Sequence, residues 1–152
     1  MSWDREIGTV SRKVLEKKGP ALLFENIKGY EKTRGRRVFT GGIGTRDRLA
    51  LALGFPKGTS NREIVQHVMK KNRESIPPVR VDTGPVKENI VKGEAIDLLE
   101  FPVPKWHFLE GGRYINTYAC IVTKDPDTGV QNVGIYRGMV GRKNSIPSLL
   151  IA

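Results

Sequence analysis

Cysteine is nearly missing from this chain: Cys120 is the only one in 152 residues. One thiol excludes an intrachain disulfide framework and fits a reducing compartment. Histidine is scarce as well. His67 and His107 are far apart, and neither has an acidic or thiol neighbour at metal-ligand spacing, so both are expected to pack rather than to ligate. Long apolar runs are lacking too. The longest, residues 49–53 and 148–152, fall far short of the roughly 20 residues that span a bilayer. Asp4, Glu6 and Arg12 interrupt any apolar core in residues 1–15, which excludes a signal-peptide layout and makes the cytoplasm the expected compartment. Aromatic residues make up 7%, and they are not interleaved with the basic residues. The net charge of +10 lies wholly in the first half: residues 1–80 hold 18 Lys+Arg against 8 Asp+Glu, and residues 81–152 hold 8 against 8. A basic half attracts phosphates. Without stacking aromatics, however, a nucleic-acid surface is the weakest functional reading.

What is present describes a folded protein, with 38% hydrophobic and 28% charged residues. Trp3, Ile7, Val10 and Val14 recur at helical spacing behind Ser2 as candidate cap, and Lys17, Lys18, Gly19 and Pro20 close that helix. Gly8 weakens it slightly. Residues 21–27 and 37–40 read as strands. A glycine turn over residues 41–45 then leads into a helix capped by Thr45. Ser60 and Glu63 form a capping box before a stripe of Ile64, Val65, Val68 and Met69. Alternating helices and strands predict a small α/β (α+β) layer over residues 1–100.

Residues 101–104, Phe-Pro-Val-Pro, read as a stiff connector. Beyond them the period changes to two. Residues 114–122 alternate, residues 125–129 (Asp-Pro-Asp-Thr-Gly) are turn chemistry, and residues 130–140 read as the returning strand. Residues 101–152 are thus expected to be the first hairpin of a β-rich domain that is incomplete, since a lone hairpin is marginal in water.

The obvious motifs fail on inspection. A P-loop needs Gly-Lys-Ser/Thr where the chain has Gly44, Thr45 and Arg46, and a dinucleotide fingerprint needs a small residue where Asp47 stands. Cys120 falls within a strand and reads as a small apolar filler. No two carboxylates share an acid/base setting: Glu110 precedes a glycine pair, and Asp125 and Asp127 belong to a turn.

Three longer stretches carry a resemblance. Residues 111–118 (GGRYINTY), 123–129 (TKDPDTG) and 132–137 (NVGIYR) resemble the signature region of the UbiD-type decarboxylases, and residues 19–26 (GPALLFEN) with the turn at 41–46 are similar to the front of that family. The likeness covers nearly all of this chain but only the first part of a family member. It implies that the second domain is a flavin-binding, split-barrel-like domain. The activity implied is reversible decarboxylation of aromatic or α,β-unsaturated acids, with prenylated FMN as cofactor and manganese as metal, potassium being a further candidate.

Carried over by position, the resemblance assigns Arg137 to the substrate carboxylate at the reacting face. Asn132 becomes the metal-binding amide, Ile135 and Tyr136 line the flavin, and Thr117 bonds near it. Leu149, Leu150 and Ile151 fall in a further cofactor-contacting segment, here apolar. The remaining two metal ligands and the catalytic acids fall after Ala152. The chain is therefore expected to be inactive alone, and the intact enzyme to be a homo-oligomer. A non-catalytic subunit docking on a larger carboxylase is the alternative. One tension is visible beforehand. On a regular strand Asn132, Gly134 and Tyr136 project to one face, and Val133, Ile135 and Arg137 to the other. Metal and substrate contacts on opposite faces predict a bulge or a backbone contact near Gly134.

Overall fold

The computed structural model describes residues 1–148. Its first helix, α1 (Glu6–Glu16), buries Ile7 completely and half-buries Val10 and Val14, as the helical spacing predicts. Ser2 does not cap it. Residues 3–5 instead run beside Lys105, whose carbonyl accepts from the Arg5 N–H at 3.1 Å and whose own N–H donates to the Trp3 carbonyl at 3.1 Å. That pairing ties the entry to the Lys105 segment, and the capping position falls on Arg5 in the left-handed region at φ 66°. Gly8 has a reason that composition could not reveal. A Cβ there would overlap the backbone carbonyl of Trp106, so glycine is what lets α1 lie directly on the 105–107 segment. At the other end Lys18, not Gly19, takes the left-handed position (φ 53°), and the N–H of Gly19 closes on the Val14 carbonyl at 2.8 Å.

Both N-terminal strands are shorter than the sequence pattern predicts. β1 (Leu22–Phe24) and β2 (Val38–Thr40) pair antiparallel, with Phe24 opposite Val38. Against them lies the core: Ile7, Phe24, Ile27 and Tyr30 are buried, with Trp3, Val10, Leu22, Val38 and Trp106 packed around them. The glycine turn after β2 leads into α2 (Arg46–Ala52), capped by the Thr45 hydroxyl. Arg48 returns to tie two turns together, donating to the Gly41 carbonyl at 2.8 Å and the Gly19 carbonyl at 2.7 Å. The helix α3 (Asn61–Lys71) begins on the expected capping box. Both bonds from the Ser60 hydroxyl and N–H hold the Glu63 carboxyl below the ordinary range. Of its apolar stripe only Ile64 is buried.

Residues 73–100 carry three single 3-10 turns and little cover. The chain then enters the buried Pro102, Val103 and Pro104 and four further strands: β3 (Tyr114–Asn116), β4 (Cys120–Lys124), β5 (Gln131–Ile135) and β6 (Gly138–Met139). β4 pairs with β5, and β3 with β6, both antiparallel. The two ladders are halves of one long hairpin. Its turn is the expected one, with the Asp125 carboxylate accepting from the N–H groups of Asp127 and Thr128 and from the Thr128 hydroxyl. The whole is a mixed α/β arrangement of helices and small two-stranded sheets.

Candidate functional site

The expected continuous strands over residues 114–122 and 130–140 both break, and they break opposite one another. The last paired positions of the outer ladder are Cys120 and Ile135; the inner ladder resumes at Asn116 and Gly138. Three residues (Thr117, Tyr118 and Ala119) therefore face two (Tyr136 and Arg137). One surplus residue is the signature of a bulge, which bends the strand and re-aims side chains. The expected irregularity at Gly134 is thus corrected. The ladder runs unbroken through the Ile121–Gly134 pair, and the disruption comes just beyond Ile135, where backbone pairing lapses.

That lapse sorts the candidate residues into two groups. Tyr136 folds back over its own strand. Its ring fills the space that a Cβ on Gly134 would need, and its hydroxyl lies 3.5 Å from the Asn132 amide nitrogen. Asn132, Gly134 and Tyr136 share a face, as the period of two predicts. Arg137 goes the other way. Its guanidinium carbon sits 5.3 Å from the centre of the Tyr114 ring, and it lines a hollow of about 290 Å³ together with Thr117, Tyr114, Asn116, Trp106, His107 and Glu110. Thr117 and Arg137 are brought together. Asn132, Ile135 and Tyr136 are not in that hollow, and Ile135 faces outward opposite Cys120. Leu149, Leu150 and Ile151 lie outside the described residues.

The hollow opens into a larger groove of about 630 Å³ that shares Trp106, His107, Tyr114 and Thr117 with it. Leu15, Leu22, Val38, Phe39, Pro102 and Val103 floor the groove, and Arg12 and Arg37 stand on it. An apolar trough leading to an arginine suits a planar organic anion. Glu110 lines the same end. One of its carboxylate oxygens accepts the backbone N–H groups of Trp106 (3.0 Å) and His107 (3.1 Å), which fixes the loop bearing both side chains. Arg113 anchors the strand from behind. Its guanidinium donates to the Val103 carbonyl (2.8 Å), the Phe101 carbonyl (2.8 Å) and the Tyr30 hydroxyl (2.6 Å), and it stacks 4.3 Å from the centre of the Trp3 ring. Sequence reasoning singled out neither Tyr114 nor Glu110 nor Arg113 for a role. The available signals were an aromatic three residues before Thr117 and a carboxylate three residues after His107, the spacing of a capping interaction.

Metal binding is a different matter. Among the described residues no three His, Cys, Asp or Glu side chains gather to hold an ion. Asn132 offers one neutral oxygen, whereas a hard divalent cation takes about six. These residues do not make a metal site by themselves. Cys120 is exposed, which corrects its reading as a buried filler. It shares the outer hairpin face with Val122, Val133 and Ile135, exposed by 62%, 61% and 55%.

Two family models match this chain. The N-terminal domain of 3-octaprenyl-4-hydroxybenzoate carboxy-lyase matches residues 1–68, and the Rift-related domain of the same enzyme matches residues 78–151. The chain belongs to the UbiD family. It is 38% identical to a pyrrole-2-carboxylic acid decarboxylase of Pseudomonas aeruginosa, over 93% of this chain and 30% of that protein. To ferulic acid decarboxylase 1 of Saccharomyces cerevisiae it is 34% identical, over 96% of this chain and 31% of that protein. Among solved structures, an evolved dimeric form of the UbiD-class enzyme HmfF from Pelotomaculum thermopropionicum in complex with prFMN superposes with a TM-score of 0.82 at 31% identity, covering 99% of this chain and 33% of that one. The chain spans about a third of the length of the UbiD relatives it matches. No helix among the described residues is long and apolar enough to cross a membrane.

Proposed function

We propose that this chain carries the carboxylate-binding part of a prenylated-FMN-dependent decarboxylase acting reversibly on aromatic or α,β-unsaturated acids. The observation that carries the reading is the convergence of Arg137 and Thr117 on one hollow, in a chain whose UbiD relatives are decarboxylases. Arg137 offers two parallel N–H donors, which grip a carboxylate and fix its plane. Thr117 adds a hydroxyl beside it, and the apolar groove offers a surface for the ring of the acid. Prenylated FMN, when bound, supplies the electron sink for the carbanion-like centre that loss of carbon dioxide leaves. Ile135, Tyr136 and the segment with Leu149, Leu150 and Ile151 are proposed as further cofactor contacts. Asn132 contributes one oxygen donor toward a cation and does not hold manganese or potassium alone, so no step is routed through either. On this reading residues 1–100 form the N-terminal α/β domain and residues 101–152 begin the flavin-binding domain of a cytoplasmic homo-oligomer, the lone Cys120 fitting a reducing compartment.

The test is release of carbon dioxide from a panel of aromatic and cinnamic-type acids with prenylated FMN and manganese. The 152 residues alone are expected to be silent; a version extended to the length of its relatives is expected to turn over and to lose turnover with Arg137→Ala. Undiminished turnover in that variant removes Arg137 from the reaction, and robust turnover by the 152 residues alone overturns the expectation that they are silent. The exposed apolar face of Val122, Val133 and Ile135 favours a second reading, a non-catalytic subunit docked on a larger carboxylase. A partner chain that copurifies and restores turnover to the 152 residues supports it.

A further inference from the structure

Among the described residues, Arg137 pairs with no carboxylate. None of the ion pairs among the described residues includes it, and the nearest lining acid, Glu110, has one oxygen committed to two backbone N–H groups. Exposed arginines usually roam. This one has its guanidinium 5.3 Å from the Tyr114 ring centre, and the backbone that carries that half-buried ring is held. The Tyr114 N–H donates to the buried Pro104 carbonyl at 3.2 Å, its carbonyl accepts the Trp106 indole N–H at 3.3 Å, and its strand is paired at Met139. An aromatic face attracts a cation through its quadrupole while leaving the N–H edges of the guanidinium free. Those edges are what a carboxylate needs.

We propose that Tyr114 is a positioning residue, a fixed aromatic platform that holds the Arg137 guanidinium ready for an incoming carboxylate. It acts through Arg137 and touches no reacting atom. The ligand class rests on the decarboxylase reading above, whereas the platform rests on the geometry alone. Tyrosine's hydroxyl has no part in it, so phenylalanine should serve equally and an aliphatic side chain should not.

The experiment observes the arginine side-chain Nε–Hε resonances of the 152-residue chain by NMR, with the Arg137 signal assigned by its loss in Arg137→Lys. A proton held over a ring face is shielded. The Arg137 Hε is therefore expected upfield of the ordinary arginine range in the wild type and in Tyr114→Phe, and back within that range in Tyr114→Leu. Unchanged β4–β5 amide signals check that Tyr114→Leu still folds. Benzoate titrated against the same signal is expected to bind wild type and Tyr114→Phe alike, and Tyr114→Leu roughly two- to fivefold more weakly. An unshifted Arg137 Hε in the wild type overturns the platform without reference to any variant. So does a shift that persists in a folded Tyr114→Leu. A shifted signal that ignores benzoate supports the platform and counts against the decarboxylase reading, so the two fail separately.

Discussion

Arg113 should be costly to remove, although nothing about it concerns chemistry. It stands between the two halves of the chain. From the start of β3 it reaches the carbonyls of Phe101 and Val103 in the connector, the Tyr30 hydroxyl in the N-terminal core, and the face of Trp3. Tyr30 is 7% exposed, so its hydroxyl has little water to turn to. Three hydrogen bonds from a charged donor contribute about 1 kcal/mol each when partly solvated, and the stacking on Trp3 roughly 0.5–1 kcal/mol more. Arg113→Ala is expected to cost about 3.5–4 kcal/mol. With an m-value near 2 kcal/mol/M, that lowers the urea midpoint by about 1.8–2 M. Tryptophan fluorescence is a suitable probe, because Trp3 and Trp106 both pack at this junction.

The controls separate clamp from charge. Arg113→Lys keeps the charge but cannot reach three acceptors from one planar fork, and it should recover less than half of the loss. A double-mutant cycle with Tyr30→Phe should return a coupling near 1 kcal/mol. If Arg113→Ala unfolds within about 0.5 kcal/mol of wild type, these bonds do not hold the halves together.

Gly134→Ala should push the Tyr136 ring off the strand at a cost of about 1 kcal/mol, the low end for overpacking because the half-exposed ring can swing away. Loss of the penalty in a Tyr136→Ala background confirms the cause, and a full penalty there refutes it. The Asp125 carboxyl is held below the ordinary range, first by the Thr128 N–H and then by the Thr128 hydroxyl. A depressed folded value means that its support for the turn is complete above the unfolded value and is lost as the pH falls through the folded one. Amide exchange in β4 and β5 should speed up over that acid window in the wild type and not in Asp125→Asn; identical profiles would exclude the carboxylate. Val122 and Val133 are opposite one another and more than half exposed, so Val122→Thr with Val133→Thr should leave the urea midpoint nearly unchanged and reduce binding of a hydrophobic dye. A loss well above 1 kcal/mol would mean that this face is covered in solution.

Elements whose evidence is local were legible. The Ile7, Val10, Val14 spacing, the Ser60–Glu63 box and the Asp125 turn each declare themselves within a few residues, and each stands where expected. Ser2 was misread, and the packing reason for Gly8 missed, on one ground: both depend on Lys105 and Trp106, about a hundred positions away. Cys120 shows the same limit in a strand. A period of two shows that two faces exist and leaves open which one is covered. Here the face with Cys120, Val122, Val133 and Ile135 is open, and the one with Ile121, Thr123 and Gly134 is half-covered.

The geometry of the candidate site was not legible in the sequence, for a reason that the hairpin makes plain. Alternation survives a bulge, because each strand keeps its own period while the offset lies between strands. Residues 130–140 therefore looked like one strand, on which Asn132 and Arg137 had to face apart. In the folded chain they still do: Asn132 keeps company with Tyr136, and Arg137 with Tyr114 and Thr117. The surplus residue in Thr117, Tyr118 and Ala119 lets the inner ladder resume in a different register, so Arg137 leaves the sheet surface for the hollow beside the groove. A ligand that used both residues would have to reach around the break, with its anionic end at Arg137 and a second polar group near Asn132. That demand favours a long molecule, or two molecules meeting there, over one small ligand bound by either residue alone.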